Sequence, residues 1–121
     1  MAYESVMRGF SLPASGALGQ FLAVKTDANG RAALVAAGAE VDGITQSSAS
    51  AIDQSVPVSF DGISKVVAGA AVAVGALVQS TVAGKAVTAT TGTYAFGRAL
   101  TASSATDQVI SVLLVAFGRV P

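Results

Sequence analysis

Hydrophobic and polar residues alternate along this chain in short runs that end at turn-forming residues. An apolar–polar period of two over four to eight residues is typical of a half-buried β-strand. Glycines and the pairs Asn29-Gly30 and Asp61-Gly62 separate the runs, and Asn-Gly is favoured in type I′ hairpin turns. The pattern predicts an all-β protein, a small sandwich or barrel of about ten short strands. The clearest predicted strands are residues 20–25, 32–37, 40–45, 55–60, 63–67, 76–80, 86–91, 94–100 and 109–117.

The chain also repeats itself when it is shifted by 54 residues. The motif Ser-Ala-x-Asp-Gln stands at residues 50–54 and again at 104–108, and three glycines recur in the same register. The ungapped match predicts two pseudo-repeated halves, residues 22–60 and 76–114. Residues 85–92 are rich in Thr and Val, which favours a strand both there and in the partner segment 31–38. The recurring glycines are Gly30, Gly38 and Gly43, which align with Gly84, Gly92 and Gly97. Between the two halves, a helix over residues 68–76 remains an alternative.

The first nineteen residues show no clear period. Residues 1–19 are therefore predicted to form an extended N-terminal arm, followed by a single β domain of residues 20–121. Tyr3, Arg8 and Phe10 lie outside the repeat, in an arm that has no core of its own. We expect these side chains either to contact the neighbouring chains of an assembly or to be disordered.

The two copies of the Asp-Gln motif are followed by different strands. In the first copy Ser55, Pro57 and Ser59 alternate with apolar residues, which predicts a strand with one wet face. Pro57 is also typical of an edge strand, because proline cannot donate to a ladder. The polar positions become largely apolar in the second copy, so that strand is expected to be covered on both faces, centrally in a sheet or by a neighbouring subunit. Those positions are Val109, Ser111 and Leu113.

Composition narrows the possible chemistry. The chain has no cysteine and no histidine, which excludes disulfides, thiolate metal sites and the commonest general base. Seven acidic residues balance seven basic ones, so the basic footprint of a nucleic-acid binder is absent. The longest apolar run, residues 66–78, is too short to span a bilayer. Sparse charge leaves apolar area exposed on a monomer, which favours assembly.

Without histidine or cysteine, the remaining catalytic routes are paired carboxylates, a Ser-Lys dyad or a Thr nucleophile. Asp53 and Asp107 occupy equivalent positions of the repeat and could form a paired acid/base site. Each also stands in a turn before a strand, where an Asp side chain commonly binds local backbone N–H groups, and this interpretation is favoured. Asp27 and Asn29 begin like a calcium loop, but no Glu follows at the twelfth position. We therefore predict no enzyme, and no catalytic, cofactor or metal residues.

Several short motifs resemble those of the tailed-phage capsid cement or head-decoration proteins. They begin with GAEVDGI at residues 38–44 and end with VISVL at residues 109–113, and the resemblance covers residues 20–115. Gln54 and Gln108 stand where that family more often has a small or apolar residue. The other matching pieces are Asp53, residues 56–58, 61–62, 67–70, 72–75 and 97–100, and Asp107.

This resemblance implies a β-rich virion protein on the outer capsid surface, made in the host cytoplasm. Its implied partners are the major capsid protein and itself, as a homotrimer, with no nucleic acid, membrane, cofactor or small-molecule substrate. It would stabilise the expanded shell. Multivalent binding and a preference for the expanded lattice would suffice for that role. The alternative is a β-rich virion surface module that binds host glycan or another tail or fibre component.

Overall fold

The computed structural model describes residues 9–120, and the side chains of all of these except residues 116–119. This part of the chain contains ten β-strands and no helix, which confirms the all-β prediction. The helical alternative for residues 68–76 is wrong, because those residues form β-bridges and turns. The strands are β1 (Gly9–Pro13), β2 (Ala23–Thr26), β3 (Ala32–Ala33), β4 (Gly43–Thr45), β5 (Ser55–Ser59), β6 (Gly62–Val67), β7 (Leu77–Ser80), β8 (Ala86–Thr88), β9 (Tyr94–Ala99) and β10 (Val109–Arg119).

Both sheets have the same topology. The first has strand order β1-β5-β4-β2-β3 and the second β6-β10-β9-β7-β8, so each strand corresponds to the one five places later. The pairs are antiparallel, and neither sheet closes into a barrel. Register follows the 54-residue shift, since Thr45 faces Val58 where Ala99 faces Val112. The prediction of two similar halves is confirmed.

The structural repeat begins earlier than the sequence match. A parallel bridge joins Ala14 to Ala32, and its equivalent joins Ala68 to Ala86. Strand β1 pairs with β5 as β6 pairs with β10. Residues 9–21 therefore correspond to residues 63–75, and residues 9–13 of the predicted arm form a strand of the first sheet. Residues 1–8 lie outside the described residues, and for them the arm stays a prediction.

Two apolar clusters form the core, one for each sheet. The first consists of buried residues of the first half only. The second contains equivalent residues of the second half, together with Ala23 and Ile44 from the first half, both 0% exposed. The second cluster therefore joins the two halves. Its members from the second half are Val66, Ala68, Val72, Val78, Ala86, Phe96, Ala99, Ile110, Val112 and Leu114.

The turn at Asn29-Gly30 differs from the predicted type I′ hairpin. Only Gly30 has positive φ (75°), whereas type I′ needs positive φ at both central residues. The carboxylate of Asp27 accepts hydrogen bonds from the backbone N–H groups of Asn29 and Arg31, both at 2.9 Å. This side chain stabilises a longer turn, in which the Gly30 N–H donates to the Asp27 carbonyl.

Pro57 does not mark an edge strand, because β5 lies between β1 and β4. The Pro57 carbonyl accepts a hydrogen bond from the Gln46 N–H just after β4 ends. The Gln46 carbonyl is in turn bound by Gln20 Nε2 at 3.0 Å, which replaces the donor that proline lacks. The predicted wet face is also wrong at Ser59, which is 5% exposed and pairs with Gly9 and Ile44.

Candidate interaction surfaces

The second sheet presents an apolar face to solvent, formed by neighbouring residues of β6 and β10. Val109 faces Val67 across the ladder, and Leu113 faces Ile63. Val109 and Ile63 are about half exposed, at 51% and 53%. Ser111 and Lys65 lie opposite each other between these two apolar pairs. We call the six residues Ile63, Lys65, Val67, Val109, Ser111 and Leu113 the outer face.

Val109, Ser111 and Leu113 occupy alternate positions of β10 on this face, and their role as contact residues stays a prediction. β10 lies in the interior of its sheet, between β6 and β9, but this chain does not cover the face that carries Val109. Sequence reasoning missed the partners on β6, although their alternation with the buried Ser64 and Val66 was a usable signal. The equivalent positions in the first half are small or polar: Gly9, Ser11, Pro13, Ser55, Pro57 and Ser59.

Phe10 lies on β1 and packs against another exposed aromatic ring. Its ring centroid is 5.5 Å from that of Phe60, with the ring planes tilted by 47°. The two side chains remain 39% and 46% exposed, so they form a small apolar patch at the surface. Tyr3 and Arg8, the other predicted contact residues, lie outside the described residues.

Asp53 and Asp107 form equivalent ion pairs. Arg31 donates from Nε to Asp53 Oδ1 at 2.7 Å and from Nη2 to Asp53 Oδ2 at 3.2 Å. In the second half, Lys85 Nζ lies 2.6 Å from Asp107 Oδ1. The hydrogen bond from Arg31 holds the pKa of Asp53 below its usual value, and the same bond raises the pKa of Arg31. These pairs link the turn before β3 or β8 to the turn before β5 or β10.

The Asp residues are thus turn residues, as the favoured interpretation held, but their side-chain partners differ from the expected backbone N–H groups. Each carboxylate binds the cation of its own half, Arg31 in the first and Lys85 in the second. Each Asp also has positive φ, 67° and 69°, and donates its N–H to Ala14 or Ala68. Between residues 9 and 120, no three Asp or Glu side chains cluster as a metal site would require. No helix in this range could cross a membrane.

A cleft of about 400 Å³ lies where the two halves meet. Its first-half wall carries Glu40, Asp42 and Phe60, and its second-half wall carries Tyr94 and Val115. The cleft combines exposed carboxylates with apolar surface, a composition suited to a protein contact.

The whole fold has a counterpart among solved structures. The crystal structure of the N base of the head fiber protein gp8.5 from bacteriophage phi29 aligns with a TM-score of 0.74. The alignment covers 96% of this chain and 99% of that one, at 18% sequence identity. No curated protein matches the chain significantly. At this identity the likeness establishes the fold alone.

Family membership follows from the sequence itself. The family model of phage cement proteins matches residues 26–114, well over half of the chain. This chain therefore belongs to the phage cement protein family, as its short motifs indicated.

Proposed function

We propose that this protein is a capsid decoration protein, which binds the outer surface of a phage capsid as a homotrimer and stabilises the expanded shell. The observation that carries the proposal is the match of residues 26–114 to the phage cement protein family. Its partners are then the major capsid protein and further copies of itself. The fold shared with the base of a phage head fiber supports a place on the virion.

The outer face is the proposed capsid contact. It exposes two large apolar side chains, Ile63 and Val109, on adjacent strands of a rigid sheet. Removing such side chains from water stabilises a complex by about 25 cal/mol per Å² of apolar area, before the costs of association. Lys65 and Ser111, which lie between the apolar pairs, supply polar groups that fix the orientation of the contact.

Tyr3 and Arg8 are proposed as a second set of contacts to the capsid lattice, in the segment that precedes β1. An aromatic ring and a guanidinium are the side chains most enriched where binding energy concentrates. Two weak contacts on one molecule, repeated in an oligomer, give multivalent attachment to a regular shell. Binding stabilises the expanded shell only to the extent that these contacts fit the expanded lattice better than the unexpanded one.

Substitutions at matched positions of the two halves test the contact. Val109 and Ser55 occupy equivalent, exposed positions at the start of β10 and β5. We expect Val109→Lys to weaken co-sedimentation with decoration-free capsids by about tenfold or more, because a charge replaces buried apolar area. Ser55→Lys should bind like the parent. Equal binding by both variants would exclude the outer face as the contact.

A further inference from the structure

The two halves meet through unlike surfaces. Ala23 N–H donates to the Gly84 carbonyl at 2.8 Å, and Gly38 N–H donates to the Ser80 carbonyl at 2.8 Å. A twofold axis would repeat each bond with the halves exchanged. The Gly92 N–H, which is equivalent to that of Gly38, instead donates to the Val120 carbonyl. We call the surface that the first half contributes to this contact the front surface, and the surface that the second half contributes the back surface. Each half carries both surfaces, because residues 54 positions apart are equivalent. The front surface contains Ala23, Gly38, Ile44 and Gln46, and the back surface contains Ser64, Ser80, Gly84 and Phe96.

Glycines show the same asymmetry. A Cβ added at Gly84 would lie 2.9 Å from Leu34 Cδ2 and 3.0 Å from the Ala23 carbonyl oxygen, both in the other half. A Cβ added at Gly30, the equivalent position, would meet nothing within 4 Å. The back surface of the second half is therefore packed against the first half, whereas the back surface of the first half is open.

Each half thus has one of these surfaces left outside the contact. The equivalents of the buried Ala23 and Ile44 are Leu77, which is half-buried, and Arg98, which is exposed. Together with Leu100 they form the front surface of the second half. The back surface of the first half contains Phe10, Gly30 and Asp42, which are all exposed. Asp42 also borders the cleft, and its carboxylate accepts a hydrogen bond from the Thr26 N–H at 2.8 Å.

The two open surfaces carry side chains of the same polarity at one pair of equivalent positions. Inside the chain, Gln46 Nε2 donates to Ser64 Oγ at 2.9 Å. The equivalents of this polar pair are Leu100 and Phe10, which are both apolar. The polar pair at the junction within the chain thus corresponds to a pair of apolar side chains on the open surfaces, and two apolar side chains can also pack against each other.

A second pair changes in the opposite sense. Ile44 and Phe96 pack in one core cluster across the junction of the halves. Their equivalents are Arg98 and Asp42, which carry opposite charges. An apolar pair inside the chain therefore corresponds to two residues of opposite charge, one on each open surface.

We propose that the front surface of the second half binds the back surface of the first half of another copy, head to tail. Phe10 then packs against Leu100, and Arg98 pairs with Asp42 across the contact. The contact repeats the junction already present within the chain, so it leads to a closed ring or, if the rotation does not close, to a filament. At the Gly92 end the match is incomplete, since Val120 of the same chain accepts the Gly92 N–H, and the proposed contact makes no use of that bond.

This inference specifies how the self-association in the proposed function is built, and it is tested in solution without capsids. The mass of the purified full-length chain is measured by light scattering across a concentration series, for the parent and for Arg98→Asp, Asp42→Arg and the double variant. We expect each single reversal to weaken association about a hundredfold, because like charges then face each other. The double variant should regain the parental mass, because it restores opposite charges across every contact.

Folding is checked in parallel by circular dichroism and thermal melting. The double variant guards against misfolding, since a damaged fold would not be rescued by a second reversal on the opposite surface. The inference is overturned if the parent stays monomeric at every concentration. It is also overturned if the parent forms an oligomer and all three variants have the same mass as the parent. Failure here leaves the proposed capsid binding intact, since that binding is measured through Val109 and Ser55 on a different face.

Discussion

The guanidinium of Arg31 holds the carboxylate of Asp53 through two hydrogen bonds, at 2.7 and 3.2 Å. The same link recurs as Lys85–Asp107 in the second half. It closes each half by joining the turn before β3 or β8 to the turn before β5 or β10. The recurrence of the link in both halves identifies the Asp-Gln motif as a structural element of the repeat.

Acidification should weaken the fold partly through Asp53. Arg31 lowers the pKa of Asp53 in the folded state, so the pair stabilises the fold above the usual carboxyl pKa of about 4. This contribution is lost as the pH falls through the lowered folded-state pKa. Arg31 stays charged throughout, so its raised pKa has no effect in acid. The effect should be small and reduced by salt, because the side chains are 28% and 59% exposed.

Thermal melting between about pH 2 and pH 6 measures this dependence. Arg31→Gln removes the cause of the shift, so the variant should be slightly less stable at neutral pH and less sensitive to acid. If the melting temperatures of the parent and of Arg31→Gln change with pH in the same way over the whole range, the pair contributes nothing to the sensitivity to acid.

Asp107 should tolerate glycine better than alanine. Its φ of 69° lies in the left-handed region, which costs a residue with a Cβ about 1 kcal/mol. Asp107→Ala and Asp107→Gly both lose the ion pair with Lys85, but only glycine relieves the backbone. The free energy of unfolding in denaturant should therefore be about 1 kcal/mol higher for Asp107→Gly than for Asp107→Ala. The neighbouring Ala105, which lacks positive φ, is the control, and Ala105→Gly should be destabilising.

Gly97 should not accept even a methyl group. A Cβ there would lie 2.5 Å from the Leu113 carbonyl oxygen and 2.5 Å from Val112 Cγ1. A backbone oxygen held in a central ladder cannot move aside, so Gly97→Ala should destabilise the fold by about 2 kcal/mol or more. Gly16→Ala is the matched control, since its Cβ would meet nothing within 4 Å. Similar unfolding midpoints for the two variants would contradict the close approach of β9 and β10.

Removal of residues 1–8 should lower capsid affinity and leave the melting temperature unchanged. The deletion stops short of β1 (Gly9–Pro13), whose pairing with β5 a longer deletion would destroy. Tyr3→Ala with Arg8→Ala in the full chain should reproduce the effect, because these side chains are the proposed contacts. A truncated chain that saturates capsids at the parental concentration would rule out this part of the proposal.

The repeat and the strands were predictable because they depend on local signals. Glycines at Gly38 and Gly92 take positive φ, and the Asp-Gln motif takes the same turn twice, so both leave a mark in the sequence. Residues 9–21 and 63–75 fold alike with little shared sequence, because bridges between small residues such as Ala14 and Ala32 are made by the backbone. The first strand was therefore missed.

The surfaces were only partly predictable. The apolar character of Val109 and Leu113 indicated a contact, and the structure adds Ile63 and Val67, which a strand pairing brings beside them. Ser59 was misassigned because its burial comes from pairing with Gly9 and Ile44, a long-range effect that alternation cannot show. The correspondence of Arg98 with Ile44 and of Asp42 with Phe96 became meaningful only once the halves were seen to pack through unlike surfaces.

Electron cryo-microscopy of decoration-free capsids mixed with the purified protein tests the central claim most directly. Expanded and unexpanded shells are incubated with the chain at the same concentration and imaged. Our account predicts saturable density at regular positions on the outside of expanded shells, with weaker occupancy on unexpanded ones. Bare expanded shells at saturating protein, or equal occupancy of both shells, would contradict it.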